Sequence, residues 1–204
     1  MKRIAIVNYG MGNIDSLCRA IRDCRANPTV TDNPDDFYAA DAIILPGVGA
    51  FGDGMANLHS KGLAEVLTRA VFDKEIPTLG ICLGMQLLCE TGTENGIAQG
   101  LGWIPGKVQR FVPTEQKERI PHVGWNEVYP TGECPLFKGI EPGKDFYFVH
   151  SYHFEAEPEY VRARTPYCGQ FTSVVQRDNL FGVQFHPEKS QQVGAKLLEN
   201  FLAW

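Results

Sequence analysis

The chain has 204 residues and a formal net charge of −5, with 44 % hydrophobic and 21 % charged residues, the balance of a globular protein with apolar material for one ordinary core. An acidic balance with no Lys/Arg cluster excludes the basic footprint of a nucleic-acid binder, and no run approaches the roughly 18 apolar residues of a membrane span. The six cysteines, Cys18, Cys24, Cys82, Cys89, Cys134 and Cys168, form no CxxC pair, which predicts reduced thiols in the cytoplasm and no metal site.

The opening MKRIAIVNYG lacks the pattern of a signal peptide. KRIAIVNY, residues 2–9, reads as a buried strand, and Leu17, Ala20, Ile21 and Cys24 predict a helix over 13–25. PTVT near residue 30 is a second strand. DAIILP, 41–46, is a third that runs into the glycine-rich loop GVGAFGDG, with a helix to follow over 61–74. IPTLGI, 76–81, is the next strand, and MQLLCE continues it as a helix that stops near Thr91 and Gly92. Such alternation predicts a parallel sheet covered on both faces.

Beyond Gly100 the segments KVQRFV, HVGWNEVY, FYFVHSYHF, YVRAR, SVVQR and LFGVQF all read as strands, in a mostly antiparallel or mixed arrangement. Ser190 is placed to cap a closing amphipathic helix that carries Val193, Leu197, Leu198 and Phe201. No linker or repeat interrupts the chain. The expectation is one α/β domain over residues 1–204, with a central mixed, mostly parallel sheet, flanking helices and an additional β-rich region in the C-terminal half.

Three stretches can carry chemistry. In TLGICLGMQLL, Gly80 and Gly84 stand two residues either side of Cys82 where a strand becomes a helix. A nucleophile on such a sharp turn needs small neighbours because the backbones pack closely. Cysteine with its ordinary pKa of about 8.5 is only a few per cent thiolate at pH 7, so the site also needs a base or a neighbouring cation. GVQFHPEKS offers both: His186 and Glu188 leave an extended segment on the same side, and the carboxylate can fix the imidazole tautomer. The competing reading is a buried structural cysteine with a strand-end histidine.

The third stretch is the loop after the third strand. Gly47, Gly49 and Gly52 match GxGxxG, but the acidic residue a dinucleotide site needs about 20 positions on falls near Phe72 and Asp73, inside a predicted helix. The loop is better suited to offering backbone N–H groups to an oxyanion.

Together GICLGMQ, PGVGAFGDGM and QFHPEKS resemble the class I (triad) glutamine amidotransferases. NYGMGN, PHVGWN and FVHSY narrow the resemblance to the glutaminase subunits of imidazole glycerol phosphate synthases. It implies Cys82 as nucleophile, His186 as general acid and base, and Glu188 as the residue that orients His186. It further implies an oxyanion site at Val48, Gly49 and Leu83, and a pocket for L-glutamine formed by Gly49, Gln86, Glu94, Ser151 and Tyr152. No cofactor is implied. The expected partner is a separate (βα)₈ cyclase subunit, docked on a face for which Trp125, Asn126, Tyr147 and Lys189 are the candidates. Because the loop reads Pro-Gly-Val-Gly, with β-branched Val48 in place of another glycine, the Gly47–Val48 peptide is expected to need reorientation before it can serve the oxyanion.

Overall fold

In the computed structural model, residues 1–116 and 118–204 are described. The strand β1 (Arg3–Val7) leads into helix α1 (Ile14–Asp23), and β2 (Asn27–Thr31) into the short α2 (Pro34–Tyr38). β3 (Ala42–Leu45) is followed by α3 (Phe51–Ser60) and α4 (Leu63–Thr68), β4 (Thr78–Ile81) by a single turn of helix, α5 (Leu83–Gln86). The second half holds β5 (Thr91–Gly92), β6 (Ala98–Gln99), β7 (Gly106–Arg110), β8 (His122–Pro130), β9 (Lys144–His150), β10 (Tyr152–Ala156), β11 (Val161–Pro166), β12 (Gln170–Arg177) and β13 (Leu180–Val183). Helix α6 (Gln191–Ala203) closes the chain.

The main sheet has nine strands in the order β2-β1-β3-β4-β13-β12-β11-β8-β9, and a smaller sheet has the order β10-β7-β5-β6. In the main sheet β2, β1, β3, β4 and β13 run parallel to one another, and from β13 outward every pairing is antiparallel. The inner parallel strands β1, β3, β4 and β13 are apolar at nearly every position because both faces are covered, whereas the edge strand β2, NPTVT, is mostly exposed. In β1, Ile4 and Ile6 join the core under α1 and α6, while Ala5 and Val7 join the core under α3 and α4. Among the described residues, no helix is long and apolar enough to cross a membrane.

Four local expectations are corrected. The predicted loop GVGAFGDG is helical from Phe51, because the Glu94 carboxylate accepts the Phe51 N–H at 2.8 Å and supplies a cap from 43 residues away. The helix placed over 61–74 is α4 followed by a π-helical turn at Arg69–Asp73. The helix read from MQLLCE is only one turn long: Leu88 and Cys89 make tight i→i−3 bonds, and the Glu90 N–H turns away to the Gly106 carbonyl. Ser190 stands at the start of α6, yet its hydroxyl caps nothing there. It donates to the His186 carbonyl at 2.6 Å and accepts the Tyr147 N–H at 3.0 Å.

Candidate active site

The parallel arrangement brings the carboxyl ends of β3, β4 and β13 side by side, which is where open α/β sheets gather their chemistry. The loop after β3 carries Pro46–Ala50, the turn after β4 carries Cys82, and the segment after β13 carries Gln184, His186 and Glu188.

Cys82 has φ 53° and ψ −109°, a conformation costly for an L-residue and common where strain is part of a site. The two flanking glycines are what allow it. A Cβ on Gly80 would lie 2.7 Å from the Gly84 carbonyl oxygen, and one on Gly84 would collide with the Leu45 carbonyl oxygen of the neighbouring strand. The Cys82 N–H is fixed by the Val183 carbonyl at 2.8 Å, so the turn is tied to the strand that delivers the histidine.

His186 Nδ1 and Glu188 Oε1 are 2.8 Å apart, with side chains only 2 % and 4 % exposed. Burial alone would lower the imidazole pKa. The Cys82 sulfur opposes it through charge and the Glu188 carboxylate through hydrogen bonding and charge, and together they raise the value to about 10. At neutral pH the ring therefore carries a proton, the cation that a nucleophilic sulfur needs beside it. Among the described residues, His186 Nε2 and Glu188 Oε2 are buried with no hydrogen-bond partner. The segment is held by the His186 N–H on the Tyr147 carbonyl at 2.9 Å and by Ser190.

In front of Cys82 lies a cleft of about 490 Å³, lined by Val48, Gly49, Ala50, Cys82, Leu83, Gln86, Glu94, Val149, His150, Ser151 and Tyr152. Every residue expected to line a glutamine pocket is on its wall. Ser151 and Tyr152 arrive there because the chain leaves the main sheet at the end of β9 and enters the smaller one at β10. Glu94 is half-buried with one oxygen on the Phe51 N–H, so it is neither free in solvent nor fully paired.

The expected oxyanion donors do not converge. The Leu83 N–H is taken by the Gly47 carbonyl at 3.3 Å. In a trans peptide the C=O and N–H point in opposite directions, so the Val48 N–H is directed away from the Leu83 N–H. Gly49 has φ 115°, and Gly47 is hemmed in by the Tyr9 hydroxyl and by Leu83 Cβ, leaving no room for a side chain.

Of the docking candidates, Trp125, Tyr147 and Lys189 come together. The Trp125 and Tyr147 rings are 6.0 Å apart at 70°, and Lys189 Nζ lies 5.8 Å from the Tyr147 ring centre. Asn126 does not join them, since neighbouring residues of a strand face opposite sides. Its amide nitrogen lies 3.0 Å from the Pro166 carbonyl and 3.2 Å from His122 Nε2.

Sequence reasoning missed Gln184, Tyr9 and His150. Gln184 is fully buried with its Nε2 3.7 Å from Cys82 Sγ, and its position two before His186 in an extended segment was the available signal. The Tyr9 hydroxyl donates to the Pro46 carbonyl at 2.7 Å. Burial, with a contribution from Cys82, holds its phenol far above the usual range and hence protonated.

The family model for class-I glutamine amidotransferases matches residues 5–204, all of the site and nearly all of the fold just described. Over 199 residues the chain is 44 % identical to imidazole glycerol phosphate synthase subunit HisH 1 of Campylobacter jejuni strain RM1221, covering 98 % of each. It is 49 % identical over 202 residues to the HisH subunit of Moorella thermoacetica, covering 98 % of this chain and 94 % of that one. The chain belongs to the class-I glutamine amidotransferase family and, within it, to the HisH subunits of imidazole glycerol phosphate synthase. Among solved structures, PurLQS from Thermotoga maritima superposes with a TM-score of 0.75 at 20 % identity, covering 100 % of this chain and 99 % of that one, a likeness of fold alone.

Proposed function

We propose that this chain is a glutaminase subunit that hydrolyses glutamine to glutamate and ammonia at Cys82, for use by a separate cyclase subunit. The observation that carries the reading is the buried His186–Glu188 pair set against a strained cysteine at the mouth of a cleft. Cys82 attacks the side-chain amide of glutamine, and His186, protonated at rest, gives its proton to the departing nitrogen. Ammonia leaves and a γ-glutamyl thioester remains. Water then hydrolyses the thioester with His186 as base, while Glu188 keeps the ring oriented. Gln86, Ser151 and Tyr152 line the glutamine pocket, and Glu94 offers its second oxygen to the substrate α-amino group.

The tetrahedral oxyanion needs the Leu83 N–H together with an N–H from the Val48–Gly49 backbone. With the Gly47 carbonyl on Leu83, that site is blocked by the chain itself, which supports a gate: the Gly47–Val48 peptide must turn over before fast turnover. Loss of one such donor costs roughly a hundred- to thousandfold in rate. Ammonia is mostly protonated in neutral water and is lost unless it is consumed nearby. The acceptor site is assigned to a (βα)₈ cyclase that converts a ribulosyl aminoimidazole carboxamide phosphate into imidazole glycerol phosphate and an aminoimidazole carboxamide ribotide. Exposed Trp125, with Tyr147 and Lys189, forms the docking face. The free thiols suit a reducing compartment, the cytoplasm.

The test is glutamate release from glutamine by the purified chain, alone and with a cyclase plus that cyclase's ligand. Strong stimulation that disappears in Cys82→Ala is the expected result. Rapid turnover by the chain alone would remove the gate, and no turnover in a confirmed complex would remove the catalytic reading.

A further inference from the structure

We propose that Gln184 is a further catalytic residue, whose side-chain amide donates a hydrogen bond to the Cys82 thiolate. The inference rests on Cys82 being the nucleophile and begins with strand register. Parallel strands β4 and β13 pair Ile81 with Val183, so the next residues along, Cys82 and Gln184, emerge beside each other. Gln184 is fully buried, and its Nε2 lies 3.7 Å from Cys82 Sγ, within the reach of a hydrogen bond to sulfur. His186 follows two residues later, so one extended segment delivers both groups to the sulfur.

An amide side chain can be turned either way, so the direction of its donor has to come from its neighbours. Gln86 settles it. A backbone carbonyl can only accept, so the Gln86 atom 2.9 Å from the Tyr152 carbonyl is the nitrogen. That same nitrogen donates to Gln184 at 3.0 Å, and the atom receiving it must be the Gln184 oxygen. The Gln184 N–H₂ is then left facing Cys82. If Gln184 were flipped, two amide nitrogens would confront each other and the sulfur would meet a carbonyl oxygen.

The anchor of this chain is itself braced. Tyr152 O also lies 2.8 Å from His150 Nδ1, and His150 Nε2 lies 3.0 Å from His122 Nδ1. Burial lowers the pKa of His122 to about 4 and of His150 to about 3, so both rings are neutral at pH 7. Each then donates from Nδ1, with the His150 Nε2 lone pair receiving the His122 proton donor. The fixed tautomers hold the Tyr152 carbonyl as a two-donor acceptor, and Gln86 and Gln184 inherit their orientation from it.

A neutral donor aimed at sulfur favours the thiolate over the thiol without adding charge to the site. The titratable groups facing this sulfur and its cleft are His186 and Glu188 from the segment after β13, Tyr9 from the end of β1, and, on the cleft wall, His150 at the end of β9 and Glu94 after β5. When water hydrolyses the thioester, the C–S bond breaks and the sulfur leaves as thiolate, and the Gln184 donor stabilises that anion while His186 holds the proton taken from water.

The test is the pH dependence of Cys82 alkylation by iodoacetamide and by a chloroketone analogue of glutamine, on the full chain. Gln184→Met keeps the volume and removes the donor, whereas Gln184→Glu keeps the acceptor for Gln86 and replaces the donor with an oxygen. Expected for Gln184→Met is an alkylation midpoint about one pH unit higher, a roughly tenfold slower reaction below it, and rates equal to or above the native chain well above it. Gln184→Glu should move the midpoint further. A mere packing defect would instead lower the rate at every pH. Unmoved midpoints in a variant that melts like the native chain overturn the inference. So does a Gln184 side-chain amide signal, followed by ¹⁵N NMR in the native chain, that stays flat while Cys82 titrates, a measurement that needs no variant to fold. A native chain whose Cys82 resists both reagents fails the nucleophile reading itself.

Discussion

Two turns meet at this site, and they are built in opposite ways. The turn after β4 presents Cys82 in one strained geometry that its surroundings impose, since neither Gly80 nor Gly84 has room for a side chain and the Cys82 N–H is tied to β13. In the loop after β3 the Gly47 carbonyl occupies the Leu83 N–H, which under the proposed mechanism opposes oxyanion binding, and Val48 stands 41 % exposed beside the cleft. On the proposed mechanism, then, the nucleophile is preorganised and the oxyanion site is not. If the proposed gate holds, the reactive group is kept ready while transition-state stabilisation waits for a partner, which would limit wasteful release of ammonia.

The sharpest way to break the first turn is Gly84→Ala. The new methyl meets the backbone of β3, which cannot swing aside like a flexible side chain, so destabilisation of about 3 kcal/mol or more and loss of all turnover are expected. Denaturant unfolding checks it, and a native-like midpoint would mean that the turn is looser than described. Next in size is Glu188→Gln, expected to lower kcat roughly a hundred- to ten-thousandfold with a smaller change in KM. It also carries a pH signature. The pKa of folded His186, about 10, lies above its ordinary value of 6.5, so its stabilising contribution is complete below pH 6.5 and is lost as pH rises through 10. Glu188→Gln should shrink the drop in thermal stability between those limits. An unchanged stability profile would assign the raised imidazole pKa to Cys82 alone.

The rigid turn was far more legible than the loop, for a physical reason. GxCxG states its own constraint locally: a strand, a small residue, a nucleophile, a small residue and a helix. His186 and Glu188 are likewise neighbours in the chain, and period two brings them together. The same period would have separated Asn126 from Trp125 had it been applied to β8. What stayed hidden depends on distant partners. Helix α3 begins inside a glycine-rich string because Glu94 reaches back to cap Phe51. FYFVHSYHF reads as one strand, and its change of sheet at Ser151, which puts Tyr152 on the cleft wall, has no local mark. Gln184 gained its meaning only from the pairing of β4 with β13.

Changes in the loop sharpen the comparison from the other side. Val48→Gly removes the β-branched side chain that resists the reoriented backbone, and partner-free glutamate release should rise, by up to the roughly hundred- to thousandfold value of one oxyanion donor. Stimulation by the cyclase should shrink in proportion. Turnover that stays low in a folded Val48→Gly chain would place the block elsewhere.

The smallest effect is expected at Tyr9. Its hydroxyl holds the Pro46 carbonyl, one peptide before the bond that must turn, so the reorientation pivots from a fixed point. Tyr9→Phe keeps the ring in the core and leaves a buried carbonyl without its partner, at a cost of about 1–3 kcal/mol. If the pin matters to the gate, the variant loses more of its partner-stimulated rate than of its partner-free rate. Equal losses in both, at the same loss of stability, would make Tyr9 a core residue and nothing more. That split matters because a loop free to turn at every bond would reach the oxyanion geometry without reaching it in the same way twice, whereas one fixed carbonyl confines the change to the Gly47–Val48 peptide.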